Sequence, residues 1–311
     1  MRGESCSIAS VTKQIIYQIV LSVAFVCSVP LAAVEASAEP ARPVDLQLVI
    51  ALDVSTSMDL AERKLQRDGF AAAFRQSDVL HAIQQGPNRR IAVTVMEWAG
   101  EARQSVVLEW TELADAAGVA AFADRLENRI PGRMARGTAV GSAMLRAAGL
   151  FGESPYDGGR RVINISGNGP NNRGPEPAKV RDRLIGHGIT INGLPIVYQG
   201  PLQAVAATRS TGPVLPESLI RYFEANVIGG AGAFVEPVME IGQFEAAIRR
   251  KLIREIRGPL DVAERGSGGT APDVQAAVAG SSSVADADAA IRIAATTWPI
   301  AARSSADGPP R

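Results

Sequence analysis

"IALDVSTSMDL", residues 50–60, decides how the rest of the chain is read. An apolar run ends in Asp53, and Ser55 and Ser57 follow at spacings of two. Small oxygen-bearing side chains therefore gather where a buried strand would emerge. Two readings are open at this point. Ser57 can cap a helix beginning at Met58-Asp59-Leu60 while Asp53 satisfies loop amides. Alternatively, the three residues form a set of hard oxygen donors.

Upstream, "LQLVIALDV" is almost continuously apolar, as a strand buried on both faces should be. Downstream, Leu65, Phe70, Ala73 and Phe74 recur at helical spacing. "RIAVTVMEW" and "QSVVLEW" read as strands joined by the turn "AGEAR", too short for a crossover, so they predict an antiparallel hairpin. Helical patterns follow over 115–128 and 138–151, then the strand "RRVINIS", a helix over 175–186, the strand "ITINGLPIV" and the helix "PESLIRYFEAN". "GAFVEPV" predicts a last short strand, and "IGQFEAAIRRKLIREI" a last amphipathic helix. Strands alternating with helices imply an α/β fold. Its doubly wound, mostly parallel sheet has one antiparallel edge strand and helices on both faces. Ligands of such sheets bind at the carboxyl ends of the strands, where Asp53 stands.

The composition sets the outer limits. Of 311 residues, 46% are hydrophobic and 21% charged, enough for a sizeable core. Lys+Arg and Asp+Glu both number 32, so there is no basic excess to attract nucleic acid. Arg2 and Lys13 precede the apolar run "IIYQIVLSVAFVCSVPLAAV", and Ala36-Ser37-Ala38 fits a small-x-small cleavage pattern. Residues 1–38 read as a secretory signal peptide. The mature chain then has no membrane span and is periplasmic or secreted. Both cysteines, Cys6 and Cys27, lie inside the signal, so the mature protein has neither a disulfide nor a thiolate site. Residues 39–44 read as a linker and 45–257 as the folded domain. Residues 258–311, rich in Gly, Ser, Ala and Asp, read as a disordered tail.

Three further loops fall on the side of Asp53: "ARGTAVGSAM" with Thr138 at a helix start, "NISGNGPNN" with Asn168 between glycines, and "PIVYQG". The pattern Asp53-x-Ser55-x-Ser57 after a first buried strand, Gly137-Thr138 in a second loop and a Gly-rich third loop resembles the von Willebrand factor A domain. "EWAG" and "SGNGPNN" narrow the resemblance to a bacterial secreted A-domain family, domain of unknown function 1194. The resemblance implies a metal-ion-dependent adhesion site. In it Asp53, Ser55, Ser57, Thr138 and the third-loop residue Asn168 hold Mg2+ or Mn2+, and the ion takes an acidic side chain of a partner protein as its last ligand. Where the family pattern has aspartate, this chain has Asn168, and one carboxylate instead of two weakens attraction to a divalent ion.

The expected function is therefore a protein-binding module, not an enzyme. A metal-assisted hydrolase on the same oxygen cluster, with Asp53 or Glu97 as base, and a structural domain with a vestigial site remain the alternatives. His81 and His187 lack neighbours for a zinc motif, the 167–174 loop lacks a P-loop ending, and no nucleophile elbow is present. Asn164 starts a nominal glycosylation sequon, but in a strand expected to be buried.

Overall fold

A computed structural model describes residues 41–130, 132, 134–197 and 216–259. The expected signal peptide and all of the tail beyond Pro259 lie outside the described residues. The elements are β1 (Arg42–Val44), β2 (Gln47–Asp53), α1 (Leu60–Phe74), α2 (Ser77–Gln84), β3 (Ile91–Trp98), β4 (Gln104–Leu113), α3 (Ala116–Glu127) and α4 (Val140–Gly152). They continue with β5 (Tyr156–Gly158), β6 (Arg161–Gly167), α5 (Pro177–Gly186), β7 (Ile189–Pro195), α6 (Pro216–Asn226) and α7 (Phe244–Arg257).

Five strands make the central sheet in the order β4-β3-β2-β6-β7. β3, β2, β6 and β7 run parallel, while β4 pairs antiparallel with β3 at the edge, as the tight hairpin requires. β2 is central and buried along its whole length. Its side chains alternate between two cores. Leu48, Ile50 and Leu52 pack with Phe70 and Phe74 of α1, Phe122 of α3 and Ile248 of α7. Val49 and Ala51 pack with Met144 of α4, Val180 of α5 and Phe223 of α6. A strand so covered has no solvent face, which is why its sequence is apolar without interruption.

Two expectations are corrected. Within the stretch read as a linker, Arg42–Val44 forms β1 and pairs parallel with β5, and Val44 is buried. The expected last strand over "GAFVEPV" is not a continuous strand. It meets β7 through single bridges, Gly193 to Val235 and Ile196 to Val238. Pro237 offers no N–H, so a regular ladder cannot run through it.

Beneath α7, polar groups interrupt the core. Lys251 and Glu255, both fully buried, pair at 2.5 Å. Glu255 also accepts from Asn164 Nδ2 at 2.9 Å and Asn192 Nδ2 at 3.1 Å. Burial pushes the Lys251 ammonium pKa down, and Glu255 opposes that shift. Asn164 is thus fully buried and turned toward α7, in keeping with the discounted sequon. Breaking such a pair strands a charge. Glu255→Ala is expected to cost ~3–5 kcal/mol in urea unfolding, and Lys251→Met with Glu255→Leu to cost less than Glu255→Ala alone.

Candidate metal centre

The site begins where β2 ends. Asp53 is fully buried, and its Oδ1 accepts the Ser55 N–H at 2.7 Å, which turns the chain out of the strand. The Ser55 and Ser57 hydroxyls share a hydrogen bond of 2.8 Å. Ser57 Oγ then donates to Asn168 Oδ1 at 2.7 Å, across 111 residues of sequence. The first and third loops are joined by this chain of side-chain oxygens.

Ser57 is not the helix cap. Asp59 caps α1 in a reciprocal box, accepting Glu62 N–H at 2.8 Å while Glu62 Oε2 accepts Asp59 N–H at 2.8 Å. Capping therefore leaves the Ser57 hydroxyl facing the third loop. The other half of the bland reading holds in part, since Asp53 does satisfy a loop amide.

Thr138 stands at the foot of α4 and is 6% exposed. Its N–H donates to Asn172 Oδ1 at 2.8 Å, and its carbonyl accepts Asn172 N–H at 2.9 Å, so the third loop grips the second. The second loop also bridges to the first. Ser55 pairs with Ala135, and Thr56 N–H donates to the Ala135 carbonyl at 3.2 Å. Gly137 has φ of 95°, and a Cβ there would stand 2.5 Å from the Arg173 side chain, so the turn before Thr138 needs glycine.

Glu97 does not join the cluster. Its carboxylate accepts the Gly132 N–H at 3.0 Å and lies 3.6 Å from Arg103. Arg63 donates to the Gly132 carbonyl at 2.9 Å from the other side. Both residues hold the loop that carries Thr138. Trp98 is buried, with Nε1 donating to the Ala51 carbonyl, and packs beneath Gly167. Sequence reasoning missed Asn172, Arg63 and Gln66. Gln66 is fully buried in α1, donates to the Asp53 carbonyl at 3.3 Å and accepts from Ser166 Oγ. Paired asparagines in a Gly-Pro loop, and a polar residue on the apolar face of α1, were the available signals.

One oxygen is left over. Asp53 Oδ2 is buried with no hydrogen-bond partner among the described residues, and Asn168 Nδ2 is likewise unpartnered. Burial pushes the Asp53 carboxyl up to about 6, opposed by hydrogen bonding from Ser55 and by the nearby Asn168 backbone N–H, which does not close a hydrogen bond to Oδ2; Glu62 adds to the rise. An unpartnered carboxylate oxygen beside hydroxyl and amide oxygens matches what a hard divalent cation takes as ligands. Among the described residues no group of three or more His, Cys, Asp or Glu side chains is arranged for a metal. The donors gathered at Asp53 are all oxygens, one carboxylate beside neutral hydroxyl and amide groups. Asn172→Ala removes the acceptor of Thr138 N–H and is expected to cost ~1 kcal/mol, with faster amide exchange at Thr138 than at Ala143 in α4. Hydrogen exchange by NMR reads both.

Comparison with solved structures gives distant matches. A von Willebrand factor type A protein from Catenulispora acidiphila is 17% identical, with 69% of this chain and 43% of that chain covered and a TM-score of 0.42. Proximal thread matrix protein 1 from the mussel byssus, with a zinc-occupied MIDAS motif, is 14% identical, with 67% and 46% covered and a TM-score of 0.43. The conserved hypothetical protein BatB from Bacteroides thetaiotaomicron is 19% identical, with 67% and 97% covered and a TM-score of 0.43. The chain spans less than half the length of the first two. No curated protein matches it. The family model described as "Protein of unknown function (DUF1194)" matches residues 43–260, most of the chain. The sheet is doubly wound with a single antiparallel edge, and the chain belongs to the DUF1194 family.

Proposed function

We propose that this protein is an exported binding module. Its strand-end site holds Mg2+ or Mn2+ through Asp53, Ser55, Ser57, Thr138 and Asn168, and presents the ion to an acidic side chain of a partner protein. The observation that carries this reading is the buried, unpartnered Oδ2 of Asp53 beside the Ser55–Ser57–Asn168 chain. Burying a carboxylate without a partner is costly, and a cation is the group that most directly offsets it. When bound, the cation supplies a Lewis-acidic position for a partner carboxylate. The serine and threonine hydroxyls and the Asn168 amide are neutral, so little protein charge quenches it.

Export rests on the N-terminal pattern, which lies outside the described residues. No helix among the described residues is long and apolar enough to cross a membrane. A hydrolase would need a general base beside the ion. Glu97, the second carboxylate considered for that role, is engaged by Gly132 and Arg103, which favours binding over catalysis.

Asn168 sets the strength of the site. Its Oδ1 already accepts from Ser57, and its Nδ2 finds no acceptor, so Asn168→Asp keeps the first contact and removes the orphaned donor. The added carboxylate is expected to tighten Mn2+ binding about tenfold, ~1–2 kcal/mol, and to weaken capture of an acidic partner. Thr138→Ala is expected to weaken Mn2+ binding without unfolding the domain. Calorimetry on parent and both variants decides these outcomes. Equal binding by Thr138→Ala would remove the second loop from the site. Partner capture from envelope extract, with magnesium and with chelator, tests the binding role itself.

A further inference from the structure

The opposite end of the sheet carries a second feature, independent of the metal reading. A cavity of about 620 Å³ opens between the amino ends of β6 and β7, the last turns of α7 and the segment around Phe234. Five arginines line it, Arg160, Arg161, Arg250, Arg254 and Arg257, against one carboxylate, Glu255. The whole chain has zero net charge, so this is a local concentration of positive charge.

Arg250 is paired with Glu236 at 2.6 Å, whereas Arg254 and Arg257 meet no carboxylate among the described residues. Glu255 is committed to Lys251, Asn164 and Asn192. Arg160 donates to the Glu255 carbonyl at 2.8 Å and to that of Ile256. That contact covers the carbonyl end of α7, which would otherwise repel an anion. Arg250, Arg254 and Arg257 recur at spacings of four and three, so they share one face of α7. Arg254 lies 3.8 Å over the Phe234 ring, and a stacked guanidinium keeps its in-plane N–H groups available. Cations near a helix carboxyl end are often only dipole partners. Here they converge with two arginines from the β6 end on a cavity whose walls include Val162, Phe234 and Ile253.

We propose that this cavity binds a small organic oxyanion, a carboxylate or phosphate on an apolar body. Arg254 and Arg257 take the head group, and Phe234 and Ile253 pack against the body. Guanidinium donors match carboxylate and phosphate oxygens in pairs. The volume lies within the usual range for small-molecule sites, about 300–1,000 Å³, and exceeds what a bare inorganic ion fills.

The test uses the full chain, dialysed free of divalent metal so that the outcome does not depend on the Asp53 site. Phenyl phosphate, benzoate, inorganic phosphate and benzyl alcohol are titrated by calorimetry at constant ionic strength. One saturable site for phenyl phosphate or benzoate is expected, with benzyl alcohol and inorganic phosphate each at least tenfold weaker. The tighter of the two aromatic anions identifies the head group. Arg254→Gln and Arg257→Gln are each expected to weaken the anion about tenfold, the worth of one charge-assisted hydrogen bond. Lys64→Gln, on the exposed side of α1, should change nothing. Arg257→Gln leaves the Phe234 stack intact, so its effect is not one of lost packing. Absence of saturable binding by either aromatic anion would overturn the proposal. So would equal affinity for benzyl alcohol or inorganic phosphate, or parent-like binding by both arginine variants.

Discussion

A carboxylate buried at the mouth of the central strand organises the loops at the carboxyl end of the sheet. Asp53 sits where β2 leaves the sheet, with one oxygen spent on the Ser55 amide and the other without a partner. The first oxygen makes the turn that brings Ser55 and Ser57 together. The second is buried beside Gly167, where β6 meets the third loop. Around it, the second loop is held by Ala135 and Asn172, and the third is joined through Asn168. Among their described residues these loops carry no helix or strand of their own. Their positions follow from three anchors: the end of β2, the foot of α4 and the end of β6.

The scaffold is built to hold those anchors still. β2 is covered on both faces by separate cores, so its end is fixed from two sides. Buried polar residues at the top are turned to loop support: Arg63 and Glu97 clamp Gly132, and Gln66 ties α1 to the Asp53 carbonyl and to Ser166. These residues touch the supports of the oxygen cluster. A buried polar group left unmatched costs free energy, so each such contact also specifies the loop it meets.

The two ends of the sheet differ in chemistry. The carboxyl ends of the strands gather neutral and acidic oxygens, whereas the amino ends of β6 and β7 meet the carboxyl end of α7 and gather arginines. Between them runs the buried Lys251–Glu255 pair with Asn164 and Asn192. Asn164 and Asn192 stand opposite each other in the β6–β7 register, so two polar residues that look misplaced in their strands serve one buried acid.

Much of this was legible in the sequence. Alternation of apolar runs with helical periodicity determined the α/β sheet, because a strand covered on both faces leaves no room for polar side chains. The short "AGEAR" turn determined the antiparallel edge, because parallel pairing needs a longer return. The Asp53-x-Ser55-x-Ser57 spacing predicted three oxygen-bearing side chains gathered at the strand end, and they do meet there, because the pattern is local and borne on one turn. What only the tertiary structure decided depends on contacts distant in sequence. The capping role belongs to Asp59 rather than Ser57, because Ser57 meets a loop 111 residues away. Glu97 supports the second loop instead of joining the cluster, and Arg42–Val44 is a strand because β5 offers it a partner. Local pattern reports which way a backbone runs and which face is apolar. Which side chain a polar group meets is set by packing between elements, and that information is spread over the whole chain.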